Sequence, residues 1–475
     1  AAVEDVYPLS PLQQGFLFHT LATPESGLYV EQMSATVVGD VQPHLLEHAW
    51  QSAIDRHSVL RTAFLWENLD RPLQKVAPKV EFHMKVEDWR DLDPAAQQAR
   101  FEEEKRADKR QSFDLSREPL MRVQLFQTAE REHLLLWTHH HLLMDGWSAP
   151  LMIVEVFAAY DALLHGKEPS LPMPRPFRDY IAWLLAQDLS GTEEYWRRTL
   201  RGFTRATPLA SDRPAPAAAP GPEDHDRRDL VVLEEATTAL QSFARHNQLT
   251  LNNVAQAMWA LLLGRASGER DVLYGTSISS RPAELAGIES LVGLFLNALP
   301  VRVRLPFEEP VATWLKGLQD LQRELLANSH TPLVEIQGWS EVPRDQPMFV
   351  SVYEFWNFPA AVDDRPAFQI REGRYDIATN YPLSLRIVPE QTQISLQLTY
   401  DRRRFDAATI DRMLRELQLA FTVVVQQPQA TLAELSAVLD EALRSEREEK
   451  AKEMSGIARE KLKSRVRRPA TEAQE

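Results

Sequence analysis

Near the middle of the chain, residues 207–229 read TPLASDRPAPAAAPGPEDHDRRD. Proline lacks a backbone donor and clashes with a preceding helical turn, so such a run sustains neither a helix interior nor a central strand. It reads as a surface connector. On both sides the sequence mixes strand-like runs with amphipathic helices, and no short-period repeat of the solenoid kind is visible. The expectation is an α+β protein of two similar lobes. Residues 1–176 form the first, 177–229 a connecting region of helices and linker, and 230–440 the second. At roughly 100–200 residues per domain, 475 residues are ample for this.

Local patterns agree. PHLLEHAWQSAIDRH (43–57) sets Leu45, Leu46, Trp50 and Ile54 at helical spacing, and LRTAFLW follows as a strand candidate. The charged run 97–110, QQARFEEEKRADKR, reads as a solvated helix face. HLLLWT (133–138) reads as a buried strand. SAPLMIVEVFAAYDALLHG (148–166) reads as the next helix, with Ser148 as N-cap, Pro150 in its first turn and Gly166 as its stop. From about 441 the sequence is charged all round, then basic, so 441–475 is expected to be a tail or linker.

Composition excludes several classes. Acidic residues outnumber basic ones 68 to 53, for a net charge of -15, which suits neither a nucleic-acid backbone nor an anionic membrane surface. No apolar run reaches the ~18 residues a membrane span needs. With no cysteine there is no disulfide, thiolate ligand or thiol nucleophile, which fits a reducing cytoplasm. The opening AAVEDVYPLSPLQQ lacks the basic start and apolar core of a secretory signal. It begins abruptly in an ordered-looking segment, as expected of a piece of a longer polypeptide. Neither G-x-G-x-x-G nor G-x-x-x-x-G-K-[ST] occurs, and GTSIS (275–279) lacks the closing glycine of a nucleophile elbow.

The sharpest local signal is THHHLLMDGWS (138–148). Three histidines end an apolar strand, Asp145-Gly146 supplies a turn, and Ser148 opens a helix. Such a junction exposes polar groups at the mouth of a fold. Neighbours in a strand face opposite ways, so His139 and His141 share a side while His140 faces inward. An imidazole there can take a proton from an amine, hydroxyl or water and return it. Asp145 can accept a hydrogen bond or pair with an arginine to brace the loop. A metal is the chemical rival, with His140, His141 and Asp145 as its possible ligands. Adjacent histidines are poorly disposed for one ion, however, and no HExxH accompanies them.

HHLLMDG (140–146) has the HHxxxDG form of the condensation domains of nonribosomal peptide synthetases, and it is one of an ordered set. YPLSPLQQGFLFHTL (7–21) resembles that family's opening motif, and RHSVLRTAF (56–64) its RHxxLRTxF. YGTSISSRPAEL (274–285), VGLFLNALPVRV (292–303), YPLSL (381–385) and LTYDRRRFDAATIDRM (398–413) resemble the later ones, in family order over roughly 5–440. The resemblance implies two chloramphenicol-acetyltransferase-like lobes forming a V-shaped pseudo-dimer around a tunnel. It implies amide-bond formation: the amine of an acceptor aminoacyl thioester attacks a donor aminoacyl or peptidyl thioester. Both substrates arrive on phosphopantetheine arms of upstream and downstream carrier proteins, so the domain itself binds no cofactor. Adjacent synthetase domains are further partners.

By the same resemblance His141, the motif's second histidine, stands near the attacking amine as general base or positioning group, with His140 beside it. Holding two reactants in line supplies much of such a rate gain. The Gly146 N–H is a candidate donor to the oxyanion. Asp145 is expected to be braced by Arg281, with Arg56 as second choice. His139, Trp147, Ser148, Asn297, Trp356 and Tyr381 are expected to shape the tunnel. The third histidine, His139, occurs in some family members that do extra chemistry, and Trp356 stands where glutamate is common. Epimerization domains, ester-forming relatives and non-catalytic carrier-docking domains share the fold, but the RHxxLRT and NALPVRV segments favour condensation.

Overall fold

The computed structural model describes residues 2–24, 27–216, 224–282, 284–357, 368–376 and 379–445. The N-terminal half runs β1 (Asp5–Pro8), α1 (Pro11–Ala22), β2 (Val30–Gly39), α2 (Pro43–Arg56), β3 (Thr62–Leu65), β4 (Leu73–Val76), β5 (Lys85–Asp88), α3 (Pro94–Arg110), β6 (Met121–Ala129), β7 (Glu132–His140) and α4 (Ser148–Leu164). Helices α5 (Phe177–Leu185) and α6 (Ser190–Leu200) lead to the C-terminal half. There β8 (His225–Val232), α7 (Glu234–His246), α8 (Leu251–Ser267), β9 (Asp271–Ser279), β10 (Leu296–Arg304), α9 (Val311–Ala327) and α10 (Leu333–Trp339) come first. β11 (Ser351–Phe355), β12 (Phe368–Asp376), β13 (Leu383–Pro389), β14 (Ile394–Asp401) and α11 (Ala407–Gln426) follow. A further helical segment covers 432–445.

Strand β7 explains the first lobe. Its run LLLW is apolar at consecutive positions because both faces of the sheet are covered. Leu135 and Trp137 join the core under α2 and α4, where Trp50 and Trp137 lie 5.1 Å apart. Leu136 faces the other way, into a small cluster with Trp89, Phe101 and Phe126 beneath α3. Phe101 and Asp108 of α3 are buried, and Asp108 accepts from Arg122, Gln124 and Gln32. The charged run 97–110 is therefore not a wholly solvated helix: one of its faces covers the sheet.

In the second lobe α8 is buried nearly all round, which its sequence VAQAMWALLL permits. Thr250 caps its start through a reciprocal bond with Asn253, and Gly268 ends it in the left-handed region at φ 74°. The six-stranded sheet beside it has the order β10-β9-β11-β13-β14-β8. Its edge strand β8 starts at His225 and pairs with β14, so the last residues of the 207–229 connector are sheet rather than linker. Residues 217–223 of that stretch lie outside the described residues, as does the tail beyond 445. Leu432, Leu435 and Leu439 pack into the second core.

One strand crosses between the lobes. The five-stranded sheet has the order β12-β2-β7-β6-β5, so β12, from the C-terminal half, completes the N-terminal sheet. Tyr375 of β12 stands opposite Met33 of β2, and Glu31 of β2 opposite His139 of β7. This register assembles the polar interior next to the histidines.

Candidate active site

Strand β7 ends at His140, and the chain then turns away. His141 N–H donates to Tyr29 O at 2.7 Å and Leu143 N–H to His140 O at 3.0 Å. The His141 side chain folds back in this turn: Nδ1 lies 2.8 Å from Met144 O. A carbonyl only accepts, so Nδ1 carries the proton and Nε2 presents its lone pair. Nε2 has no hydrogen-bond partner among the described residues. The ring keeps about 10% side-chain exposure and lies 4.9 Å from the Phe16 ring.

His140 points elsewhere. Its Nδ1 accepts from Leu142 N–H at 3.2 Å, and its Nε2 faces Thr20 Oγ1 at 3.4 Å. His139 is fully buried, with Nε2 3.0 Å from Tyr375 Oη. Burial, reinforced by the neighbouring histidines, pulls both His139 and His140 down to about 3. They are neutral polar struts at physiological pH. His139 and His141 both reach Glu31, at 3.6 and 3.4 Å, although the strand has ended between them.

Asp145 is saturated. Oδ1 accepts from Ser148 N–H at 2.9 Å and lies 2.8 Å from Ser148 Oγ, while Oδ2 accepts from Phe295 N–H at 3.1 Å. Arg281 Nη2 stands 3.3 Å from Oδ1, and Arg281 Nη1 donates to Ile288 O and Leu291 O at 2.6 and 2.9 Å. The guanidinium lies 4.1 Å from the Phe295 ring centroid. A carboxylate so occupied holds a loop. Arg56, the second choice for this partner, instead binds Glu155 at 2.5 Å and the Leu171 and Pro172 carbonyls. Its position at the end of α2 directs it to α4, away from the motif.

The capping expectation also changes. Trp147 is the N-cap of α4 and Ser148 its first residue, whose N–H donates to Asp145 Oδ1. Ser148 Oγ accepts from Gly293 N–H and Arg281, so it ties the two lobes together. The Trp147 indole donates to Glu289 O at 3.1 Å. Gly146 lies buried in the turn between them, and its N–H makes no backbone hydrogen bond among the described residues. His140, His141 and Asp145 diverge, and no group of three or more metal-ligating side chains converges among the described residues.

Asn297 is spent on structure: its Nδ2 donates to Ser329 O and Thr331 O at 2.8 and 2.7 Å. Tyr381 stacks on Phe349 at 5.4 Å, and burial pushes its phenol up to about 12. Trp356 carries the Arg386 guanidinium 3.7 Å from its ring centroid and lies 5.9 Å from Tyr375. Residues 358 and 359 of that segment lie outside the described residues.

Two residues here are invisible to sequence reasoning. Glu31 is fully buried beside His139 and His141, and Tyr375 donates to it at 2.5 Å. The available signal for Glu31 is a lone acid inside the strand-like run YVEQMSATVV. Nothing local in REGRYD announces Tyr375. Next to them opens a cleft of about 510 Å³ that draws on both lobes and β12. Lys105, Arg106, Lys109, Arg227, Arg374, Arg386 and Arg402 line it against Glu102, Asp226 and Asp376. Burial pulls Lys109 below its usual value.

Comparison with known proteins gives one consistent picture. The family model described as Condensation domain matches residues 3–445. One of the linear gramicidin synthase proteins of Brevibacillus parabrevis is 40% identical over 92% of this chain, and surfactin synthase subunit 3 of Bacillus subtilis is 34% identical over 92%. The chain spans only 6% and 34% of those two proteins. Among solved structures, the starter condensation domain of rhizomide synthetase matches with a TM-score of 0.77 at 19% identity, covering 90% of this chain and 96% of that one. The X-domain from teicoplanin biosynthesis, in its complex with OxyB, gives 0.77 at 22% identity, covering 92% and 96%. At these identities the structural likeness establishes the fold, two chloramphenicol-acetyltransferase-like lobes.

Proposed function

The chain belongs to the condensation-domain family, and on that premise we propose that it forms an amide bond between two carrier-bound thioesters. The upstream carrier presents the donor aminoacyl or peptidyl group, and the downstream carrier presents an aminoacyl group with a free amine. The amine nitrogen bonds to the donor carbonyl carbon, and its proton passes to His141 Nε2. The tetrahedral intermediate collapses as the carbon–sulfur bond breaks, and the donor arm leaves as a thiolate that takes up the proton. The observation that carries this reading is the His141 ring itself. Its Nδ1 is engaged by Met144 O while Nε2 stays without a protein partner at a partly exposed position.

Gly146 N–H, ahead of the α4 start, is the proposed donor to the oxyanion. Asp145 and Arg281 brace the turn, and the bonds through Ser148 and Gly293 fix the lobes against it. Arm-borne substrates carry a phosphodiester, and a cation-lined cleft within a chain of net charge -15 supports such a partner. Trp147, Trp356 and Tyr381 are the proposed tunnel-shaping aromatic residues. No helix among the described residues is long and apolar enough to cross a membrane. We assign the work to the cytoplasm, where a cysteine-free chain suits the redox setting.

Loading donor and acceptor carriers with defined amino acids, mixing them with this domain and weighing the intact carriers tests the reading. A dipeptidyl acceptor carrier is the expected product; carriers that stay unchanged contradict it. Inversion of the donor's stereocentre without transfer would indicate an epimerase instead.

A further inference from the structure

We propose that Glu31 is a positioning residue for His141, and that Tyr375, reaching over from β12, holds Glu31 in place so that both lobes set the reacting imidazole. The inference rests on the amide-forming reading and names what supports its base.

Proton counting gives the network its direction. Tyr375 has one phenolic proton and stands 2.5 Å from Glu31 Oε2 and 3.0 Å from His139 Nε2. A carboxylate has no proton to give, so the phenol donates to Glu31 and accepts from His139 Nε2–H. His139 is then neutral and fixed in one tautomer, consistent with its depressed protonation. Glu31 Oε1 remains buried with no hydrogen-bond partner, 3.4 Å from His141 Nδ1. Among the described residues no Lys or Arg forms an ion pair with Glu31. An isolated interior carboxylate is costly, and a purely structural need would be met by an amide.

The arrangement becomes favourable when His141 takes the amine's proton at Nε2. The imidazolium charge then lies beside a fixed carboxylate in a water-poor site, where the attraction is strong. The groups that face Glu31 are His139 from β7, His141 from the turn, Tyr375 from β12, Arg386 from β13, Glu354 from β11 and Lys109 from α3. Glu31 stands above its usual carboxylate value: burial, the largest influence, raises it and Glu354 adds to this, while His141, the Tyr375 hydrogen bond and Arg386 lower it. Tyr375 comes from the strand that joins the lobes. An undocked β12 would therefore release Glu31 and take the fixed counter-charge away from His141.

Two readouts test this on the intact chain. In the carrier assay, Glu31→Gln should lower kcat roughly tenfold or more while KM for the acceptor carrier stays within about twofold. The acid limb of its pH–rate profile should move to lower pH, because the imidazolium has lost its counter-charge. Nitrogen-edited NMR of His141, which needs no turnover, should report the Nδ1–H tautomer in both proteins, because Met144 O holds it, with the Nδ1–H resonance displaced in Glu31→Gln where the neighbouring charge is gone. Tyr375→Phe, which keeps the ring packing, should move every readout the same way by less. A wild-type pH profile and an unchanged Nδ1–H resonance in both variants overturn the proposal. So does a rate loss that tracks only a lowered unfolding midpoint. If wild-type chain makes no dipeptide yet the Nδ1–H resonance responds to Glu31→Gln, the functional reading fails and the positioning role stands.

Discussion

Asp145 and Arg281 are 136 residues apart in sequence and 3.3 Å apart in the fold. Asp145 is fully buried and the arginine side chain nearly so, and each also bonds Ser148 and the backbone of the 288–295 segment. Breaking such a pair from one side leaves an uncompensated interior charge. Asp145→Ala should therefore lose about 3–5 kcal/mol in chemical denaturation. Arg281→Ala should lose a similar amount, and the double variant less than the sum. Additive losses measured in that cycle would argue against direct coupling.

Gly293 carries a second joint between the lobes. Its carbonyl accepts from Asp145 N–H, and its N–H donates to Ser148 Oγ. A Cβ there would fall 2.4 Å from Phe177 Cδ2, inside a ring cluster with Phe295 and Tyr180. Gly293→Ala should cost about 1–3 kcal/mol of stability by overpacking. Phe177→Leu should recover part of it in the same background, and an unchanged unfolding midpoint for Gly293→Ala would count against this packing.

The two buried histidines set an acid dependence. An unfolded imidazole binds its proton below about pH 6.5. His139 and His140 in the fold wait until about 3, so between those values the unfolded chain holds more protons. Stability then falls as pH falls, by up to about 1.4 kcal/mol per unit for each residue. Relative to wild type, His140→Asn should flatten this slope between about pH 6 and 4. It should lose stability at pH 8, through its contact with Thr20, more than it loses turnover. Parallel stability–pH curves for the two proteins would contradict the buried neutral assignment.

Much of this is legible in the sequence, and the gaps have physical causes. The LLLWTHH strand, the turn at Asp145-Gly146 and the buried α8 follow from runs that determine their own burial. Arg281 is reachable because its motif neighbours point to it. The start of β8 is hidden because His225–Val232 is an edge strand. Edges carry charge, and Arg227 and Asp229 look like linker residues. Glu31 and Tyr375 are hidden because their meaning lies in pairing across 344 positions, which no local period records. Ser148 looks like the cap because it precedes an apolar run, whereas the geometry gives that task to the Asp145 carboxylate.

The end of the second lobe permits a truncation test. Leu432, Leu435 and Leu439 are buried, and Asp440 binds Arg265 at 2.7 Å. Stopping the chain after 445 should leave the unfolding midpoint and condensation with freely supplied carriers nearly unchanged. Stopping after 430 strips three leucines from the core, at about 2–5 kcal/mol each. A 1–445 chain that folds normally by circular dichroism yet condenses nothing would make the tail a docking element.

The most direct test of the whole account is the rate of dipeptidyl-carrier formation by His141→Ala, read by intact-protein mass spectrometry beside the wild type. A fall of about 10²-fold or more is expected, with carrier binding and unfolding midpoint retained. Product formation near the wild-type rate would contradict it.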